Sequence, residues 1–197
     1  MPLSPTQVSA GPSTLNTLGT ASTTSGITTK TTVDGGLRRT TITLTAATAT
    51  WTDNTTTGSS ASLKIFDFPE GVINVVGAAC FLTAFSSPTN APLQTGSTTL
   101  VFSLGTDAAA TDNFTLTALE ANIVASTAGG TLTTGAITAT AKGIGPPCAT
   151  IDSTFDGSGT AKDLYINFSA DATNSVANGT VTFSATVVIS WMNLLDA

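Results

Sequence analysis

The chain reads as an all-β protein, a β-sandwich or jelly roll of about eight antiparallel strands with one short helix and an extended N-terminal arm. Two observations predict this. Val181, Phe183, Ala185, Val187, Ile189 and Trp191 alternate with Thr180, Thr182, Ser184, Thr186 and Ser190, a period of two that belongs to a strand and not to a helix. Short apolar runs also recur along the chain between Gly, Asn, Asp and Pro turns, the pattern of a two-layer β fold.

From the N-terminus, residues 1–33 are Ser, Thr, Gly and Pro around isolated apolar positions, Leu15, Leu18 and Ile27. No period of 2 or 3.6 persists there, so this segment is expected to be an extended or disordered arm that orders only against a partner. The domain, residues 34–197, opens at the turn Asp34-Gly35-Gly36. Alternating strands follow at Thr41–Ala46 and around Leu63 and Ile65, then the turn Pro69-Glu70-Gly71. Leu100, Phe102 and Leu104 share one face of the next clear strand. Thr117-Ala118-Leu119-Glu120 matches a capping box, with Leu116, Leu119 and Ile123 at helical spacing, so the short helix is expected between Thr117 and Ser126. Weaker strands are expected over residues 132–141 and 148–155, and a stronger one through Leu164, Ile166 and Phe168.

The stretch Val72 to Phe85 is apolar on both faces. Asn74, Gly77 and Thr83 interrupt it, which argues against a membrane span. A central strand is expected instead, with Val76 and Leu82 on the same face. A two-layer sandwich covers only one face of such a strand. The second cover is expected to be either the helix near Leu119 and Ile123 or a neighbouring subunit.

Composition narrows the function. At 197 residues a single domain buries about 70% of its unfolded surface and needs no staples. Charged residues make up 9% of the chain, against a usual quarter, so hydroxyls and small side chains must form the surface. There is no histidine, which removes the commonest general base and metal ligand. The net charge of -6 is the wrong sign for a phosphate-binding partner, so no nucleic acid is expected. Cys80 and Cys148 show no C-x-x-C spacing and are expected to be buried free thiols. The first residues carry neither a basic n-region nor an apolar h-region, so synthesis in the cytoplasm is expected.

No constellation spells out a reaction. Asp152, Asp156 and Gly157 invite a calcium reading, but Asp-Gly is first a turn and the spacing is not an EF-hand loop. Asp67 and Glu70 invite a carboxylate pair, though two acids three apart in a turn are usually solvated. No serine stands in an S-x-x-K frame with Lys142 or Lys162, and phosphate-binding glycine loops are missing. Sequons at Asn54, Asn113, Asn167 and Asn178 are expected by chance in so Thr-rich a chain. Arg38-Arg39, the one adjacent basic pair, either docks on an acidic partner or keeps an exposed strand soluble. No catalytic residue, cofactor or metal is therefore expected; the interface candidates are Leu15, Leu18, Ile27, Arg38, Arg39, Val76 and Leu82.

The order of features carries a resemblance: FDFPEGVINVVGA, FSLGTDAA, LTALEANIVAST, DGSGTAKDLYINFSA and NGTVTFSATVVISWMNLL. This succession resembles tailed-bacteriophage virion proteins in which a Phe-Pro-x-Gly turn opens a hydrophobic strand and a Gly-Thr-Val-Thr strand ends in Trp. The likeness runs from about Leu63 to the last residue and leaves out the arm. It implies a non-enzymatic capsid decoration or cement protein of jelly-roll type, arranged as a homotrimer on the major capsid protein at the virion surface. Two alternatives stay open, a minor head or tail fibre component and a carbohydrate-binding β-sandwich displayed on a surface. Of the aromatic residues such a binding module needs, only Trp51 lies outside a core-type strand. A hydrolase would require a cleft that joins Asp67 or Glu70 to another acid.

Overall fold

A computed structural model describes residues 18–54, 58–86, 98–109, 115–132, 136–137, 141–145, 154–157, 162–171 and 178–194. In chain order the strands are β1 (Thr20–Ala21), β2 (Ile27–Asp34), β3 (Leu37–Asn54), β4 (Gly58–Asp67), β5 (Val72–Ser86) and β6 (Thr98–Gly105). They continue as β7 (Val124–Leu132), β8 (Ala136–Ile137), β9 (Ala141–Gly145), β10 (Thr154–Asp156), β11 (Asp163–Ala170) and β12 (Gly179–Asn193). All the pairings among them are antiparallel.

One layer runs β2-β3-β12-β5, with β10, β9 and β8 following one another along the free side of β5; the other runs β4-β11-β6-β7. The two layers are a single sheet folded over at the β3–β4 hairpin, where Trp51 pairs with Ala61 and Asn54 with Gly58. Without the short flanking strands, the layers are β3-β12-β5-β9 and β4-β11-β6-β7. That order, with the chain crossing repeatedly between two four-stranded layers, is a jelly roll.

The alternation of β12 is realised in full. Val181, Phe183, Ala185, Val187, Ile189 and Trp191 are all buried in the core. Two aromatic groups fill the ends of the sandwich. Phe66, Phe68, Phe155 and Trp191 pack edge to face at one end, with the Phe68 and Trp191 rings 5.5 Å apart. At the other, Trp51 meets Phe85, and Phe168 stands between Phe85 at 5.0 Å and Phe183 at 4.7 Å. Such pairs add about 0.5–1.5 kcal/mol each beyond area burial.

Strand β5 departs from the expected facing in a way that explains its sequence. Gly77 lies opposite Ser190 but Val75 opposite Trp191, and Ala84 lies opposite Ser184 but Leu82 opposite Ala185. Val76 and Thr83 are therefore the extra residues of two β-bulges, and each bulge reverses the phase of the side chains. Ile73, Val75, Ala78, Cys80, Leu82 and Phe85 consequently all face the core. The expectation that Leu82 shares an outer face with Val76 is corrected: Leu82 is buried, while Val76 is 38% exposed.

The expected helix is a single 3-10 turn, Ala118–Glu120, with the Thr117 amide donating to Glu120 Oε2 at 3.1 Å. It stops because the Ile123 amide donates to Leu104 O at 3.1 Å, which draws the chain onto β6, and β7 follows directly. This turn belongs to the β4-β11-β6-β7 layer, so it is not the second cover of β5.

The expected arm also has structure at its C-terminal end. Strand β2 pairs with β3 from Ile27 opposite Leu44 to Asp34 opposite Leu37. Strand β1 pairs with β4 in the other layer, Thr20 opposite Asp67 and Ala21 opposite Phe66. The Thr45 amide donates to Gly26 O at 2.8 Å between them. Residues 18–34 thus form a strap across the open corner of the sandwich, and Ile27 packs against the core. A weak hydrophobic period missed this strap because its stability comes from backbone pairing with edges that would otherwise stay open.

Candidate interaction surface

The side of the β2-β3-β12-β5 layer that faces away from the core is built by register. Three rows cross the four strands: Thr28, Thr43, Thr186 and Phe81; Lys30, Thr41, Val188 and Ala79; Thr32, Arg39, Ser190 and Gly77. Hydroxyls dominate the middle of this face, Lys30, Arg39 and Asp34 stand on its β2–β3 side, and apolar groups lie on β5 and at Leu37 and Met192. Phe81 is 37% exposed and Val76 38% exposed. Val188 breaks the alternation of β12, and it lies on this face opposite Ala79. A fourth row, Asp34, Leu37, Met192 and Asn74, ends this face and brings an exposed carboxylate to it beside Thr32 and Arg39.

The Arg38-Arg39 pair is split by the pleat. Arg39 is exposed on the outer face. Arg38 points inward and is buried, its guanidinium carbon 5.2 Å from the centroid of the Trp191 ring and its Nη1 donating to Gly36 O at 3.4 Å. The indole of Trp191 is fixed in turn by donating to Thr40 Oγ1 at 3.0 Å. Arg38 is therefore a core cation held over an aromatic face, not a surface contact. Of the remaining candidates, Leu18 and Ile27 are half-buried in the strap, and Leu15 lies outside the described residues.

On the opposite side of the sandwich, residues 106–109 and 115–122 are tied down over β4, β11 and β6 by a buried polar network. Asn167 Nδ2 donates to Asp107 O at 3.0 Å and to Glu120 O at 2.8 Å, while its Oδ1 accepts from Ser62 Oγ at 2.7 Å and from the Ala109 amide at 3.0 Å. Ser103 Oγ also donates to Glu120 O at 2.7 Å. Asn122 Oδ1 accepts from the Thr106 amide at 3.0 Å. Asn167 and Ser103 are fully buried. Asp107 is exposed at the rim of this segment, beside Leu119, which is 52% exposed.

Among the described residues, a cluster of titratable groups lies at the strap corner. Asp67 and Asp163 face each other across β4 and β11, and Lys64 Nζ reaches both, at 2.5 Å and 3.0 Å. Tyr165 Oη donates to Asp163 Oδ2 at 3.0 Å. The hydrogen bond to Asp67, with further help from Asp163, pushes the Lys64 ammonium up to about 12 against its partial burial. Burial, then the hydrogen bond with Asp163, raises the Asp67 carboxyl. Burial works the same way on Asp163, but its hydrogen bonds with Asp67, Lys64 and Tyr165 outweigh that and hold it below the usual carboxylate range. Burial and the Asp163 carboxylate raise the Tyr165 phenol. The sequence paired Asp67 with Glu70, whereas the structure pairs it with Asp163; Glu70 instead offers its carbonyl to Asn193 Nδ2 at 2.9 Å. The carboxylate oxygens are engaged by Lys64 and Tyr165, an arrangement that fastens β4 to β11.

The other candidates do not converge. Trp51 is buried beside Phe85 and presents no platform. Asp156 is exposed, and its expected partner Asp152 lies outside the described residues, as do Cys148 and Asn113. Cys80 is a buried free thiol. Among the described residues no group of three His, Cys, Asp or Glu side chains is placed to hold a metal ion, and no helix is long and apolar enough to cross a membrane. Compared with protein-family models, with curated proteins and with solved structures, the chain finds no match.

Proposed function

We propose that this protein is a non-enzymatic virion structural protein, a decoration or cement protein that binds a phage head and reinforces it through subunit interfaces. The observation that carries the reading is the outer face of the β2-β3-β12-β5 layer, which among the described residues has no cover and exposes Val76 and Phe81 in a setting of hydroxyls. A broad face of that kind suits burial against protein rather than chemistry on a small molecule. The resemblance of residues from about Leu63 onward to phage virion proteins supplies the particle. The major capsid protein is the partner this reading requires, and the virion surface is the location.

The test is electron microscopy of the purified source particle at a resolution that traces chains, together with heating of particles stripped of this protein. Many copies in regular positions on the head, and a lower disruption temperature after stripping, are expected. A few copies at a vertex or along the tail would replace this reading with a minor head or tail fibre component. Absence from the particle would remove both. A carbohydrate-binding role has lost its aromatic platform with the burial of Trp51.

A further inference from the structure

We infer that the free edge of β2 pairs antiparallel with β2 of a second copy, about a two-fold axis beside Thr31 and Thr32, so that Lys30 of each copy meets Asp34 of the other. The contact lies at the rim of the sheet, not on its outer face, and it goes beyond the capsid reading without depending on it.

The argument begins with backbone pairing. Among the described residues β2 pairs with β3 alone. The Thr45 amide donates to Gly26 O, and the bonds of an antiparallel ladder recur at every second residue. From there on Thr28, Lys30, Thr32 and Asp34 bond to β3, so the amides and carbonyls of Ile27, Thr29, Thr31 and Val33 point outward along the edge. The strand keeps its eight residues free of proline and of any register shift, which are devices that keep an open edge from pairing. The other edges differ. β5 is followed by β10, β9 and β8, while β7 shifts register twice against β6 and carries Gly130 at a φ of 123°. β2 is thus the regular edge left open among the described residues, and an added strand gives its outward groups partners.

Charge and symmetry then name the occupant. Lys30 and Asp34 are the charged residues of β2, both exposed and on the same face of the strand. Four residues apart on an extended strand, they stand about 13 Å from each other and do not pair within one copy. A two-fold axis that joins two such edges is perpendicular to the sheet, so the strands run antiparallel and one residue faces its own counterpart. An axis beside Lys30 would oppose the two cations. An axis beside Thr32 sets Lys30 directly opposite Asp34 of the second copy, and one beside Thr31 sets them on a diagonal that a lysine spans. In both registers two ion pairs form, and Val33, 37% exposed, is set against Thr31 or Thr29 of the second copy. Gly35 and Gly36 at the hairpin tip have open space around them and put no side chain in the way. Such a pair is closed, because each copy's open edge is then occupied, whereas the resemblance to virion proteins implies a trimer.

The experiment is sedimentation of the full chain from micromolar to millimolar concentration, the range a small interface requires. The native chain is expected to dimerise reversibly and to go no further. Lys30→Glu alone and Asp34→Lys alone are each expected to weaken the dimer about tenfold or more, since like charges then meet twice. Lys30→Glu with Asp34→Lys in one chain is expected to recover it, because the ion pairs return with their signs exchanged. Val33→Pro removes an edge-facing amide and leaves the β2–β3 bonds in place, so it is expected to abolish dimerisation. Thr31→Cys or Thr32→Cys is expected to cross-link to its own counterpart on mild oxidation, since directly opposed residues lie within disulfide reach, while Thr43→Cys on the outer face is not. Unchanged near-ultraviolet circular dichroism and Tm show that each variant is folded; where Val33→Pro fails this check, the cysteine variants decide between edge and face. A native chain that stays monomeric or forms trimers, single charge reversals without effect, a double reversal that stays weak, a folded Val33→Pro chain that still dimerises, or cross-linking at Thr43 in place of Thr31 and Thr32 would each overturn the proposal. No phage particle enters these measurements, so the capsid reading stands or falls on its own experiment.

Discussion

Asn167→Ala is the substitution that most directly tests how the second layer is held. Its side chain is fully buried and makes four hydrogen bonds, two as donor to Asp107 O and Glu120 O, two as acceptor from Ser62 and the Ala109 amide. Each such bond contributes about 1 kcal/mol net. Glu120 O keeps Ser103 as a donor, and the Ala109 amide keeps Ser62, so part of the loss is recovered. The expected cost is about 3 kcal/mol, equivalent to about 6–12 °C in Tm for a chain of this size. Urea titration followed by the fluorescence of Trp51 and Trp191, both buried, measures it. Asn167→Asp sharpens the test. Its carboxylate keeps the two acceptor roles but faces two carbonyl oxygens with no proton to donate. Burial without a cation raises its folded pKa above the unfolded value of about 3.9. The folded state then binds the proton more tightly, and stability falls as pH rises from about 4 toward the raised folded value. This variant is therefore expected to be less stable than Asn167→Ala at neutral pH and to recover toward pH 4. An alanine variant within about 0.5 kcal/mol of native, or an aspartate variant whose offset from native is flat with pH, would refute the reasoning.

Three further outcomes are expected. Lys64 has its folded pKa raised from 10.5 to about 12, so its contribution is complete below the unfolded value and is lost as pH rises through about 12. Tm curves of native and Lys64→Gln protein should converge over that window, by a small amount because the pair is partly exposed; parallel curves count against the ion pair. A Cβ on Gly105 would land on the backbone carbonyls of Leu119 and Glu120, whereas one on Gly36 meets nothing. Gly105→Ala should cost about 1–3 kcal/mol in urea titration and Gly36→Ala less than about 0.5; equal effects would show that the close approach is unimportant. The Cys80 thiol is pushed up to about 12 by burial, so peptide mapping after alkylation of native protein should find it unmodified until denaturant unfolds the chain; rapid native labelling would contradict its burial.

What was legible in the sequence follows from physics local to a strand. β6, β11 and β12 were readable because Leu100, Phe102 and Leu104, Leu164, Ile166 and Phe168, and the Val181–Trp191 series each keep strict alternation over one buried face. β5 was readable as a strand but not as to facing, because the bulges at Val76 and Thr83 are set by its register with β12. Val124–Leu132 read partly as helix, since Leu116, Leu119 and Ile123 fall at helical spacing by coincidence, and hydrogen bonding to β6 overrides that local preference. Asn167 looked like a chance sequon because its four partners come from segments far away in the chain. Asp163 went unremarked beside Asp67 for the same reason, as cross-strand neighbours have no signature in spacing.

The position of β12 has a consequence for how such a chain matures. β12 is the last of the sandwich strands in the chain, yet it lies between β3 and β5 and pairs with both along most of its length. During synthesis the first layer must wait with a vacant slot at its centre, two open edges and an aromatic end that lacks Trp191. Its completion couples residues as far apart as Thr40 and Trp191, a long-range closure that slows folding. A chain interrupted before Gly179 therefore leaves β3 and β5 without the strand that joins them and the core without the indole that holds its aromatic end.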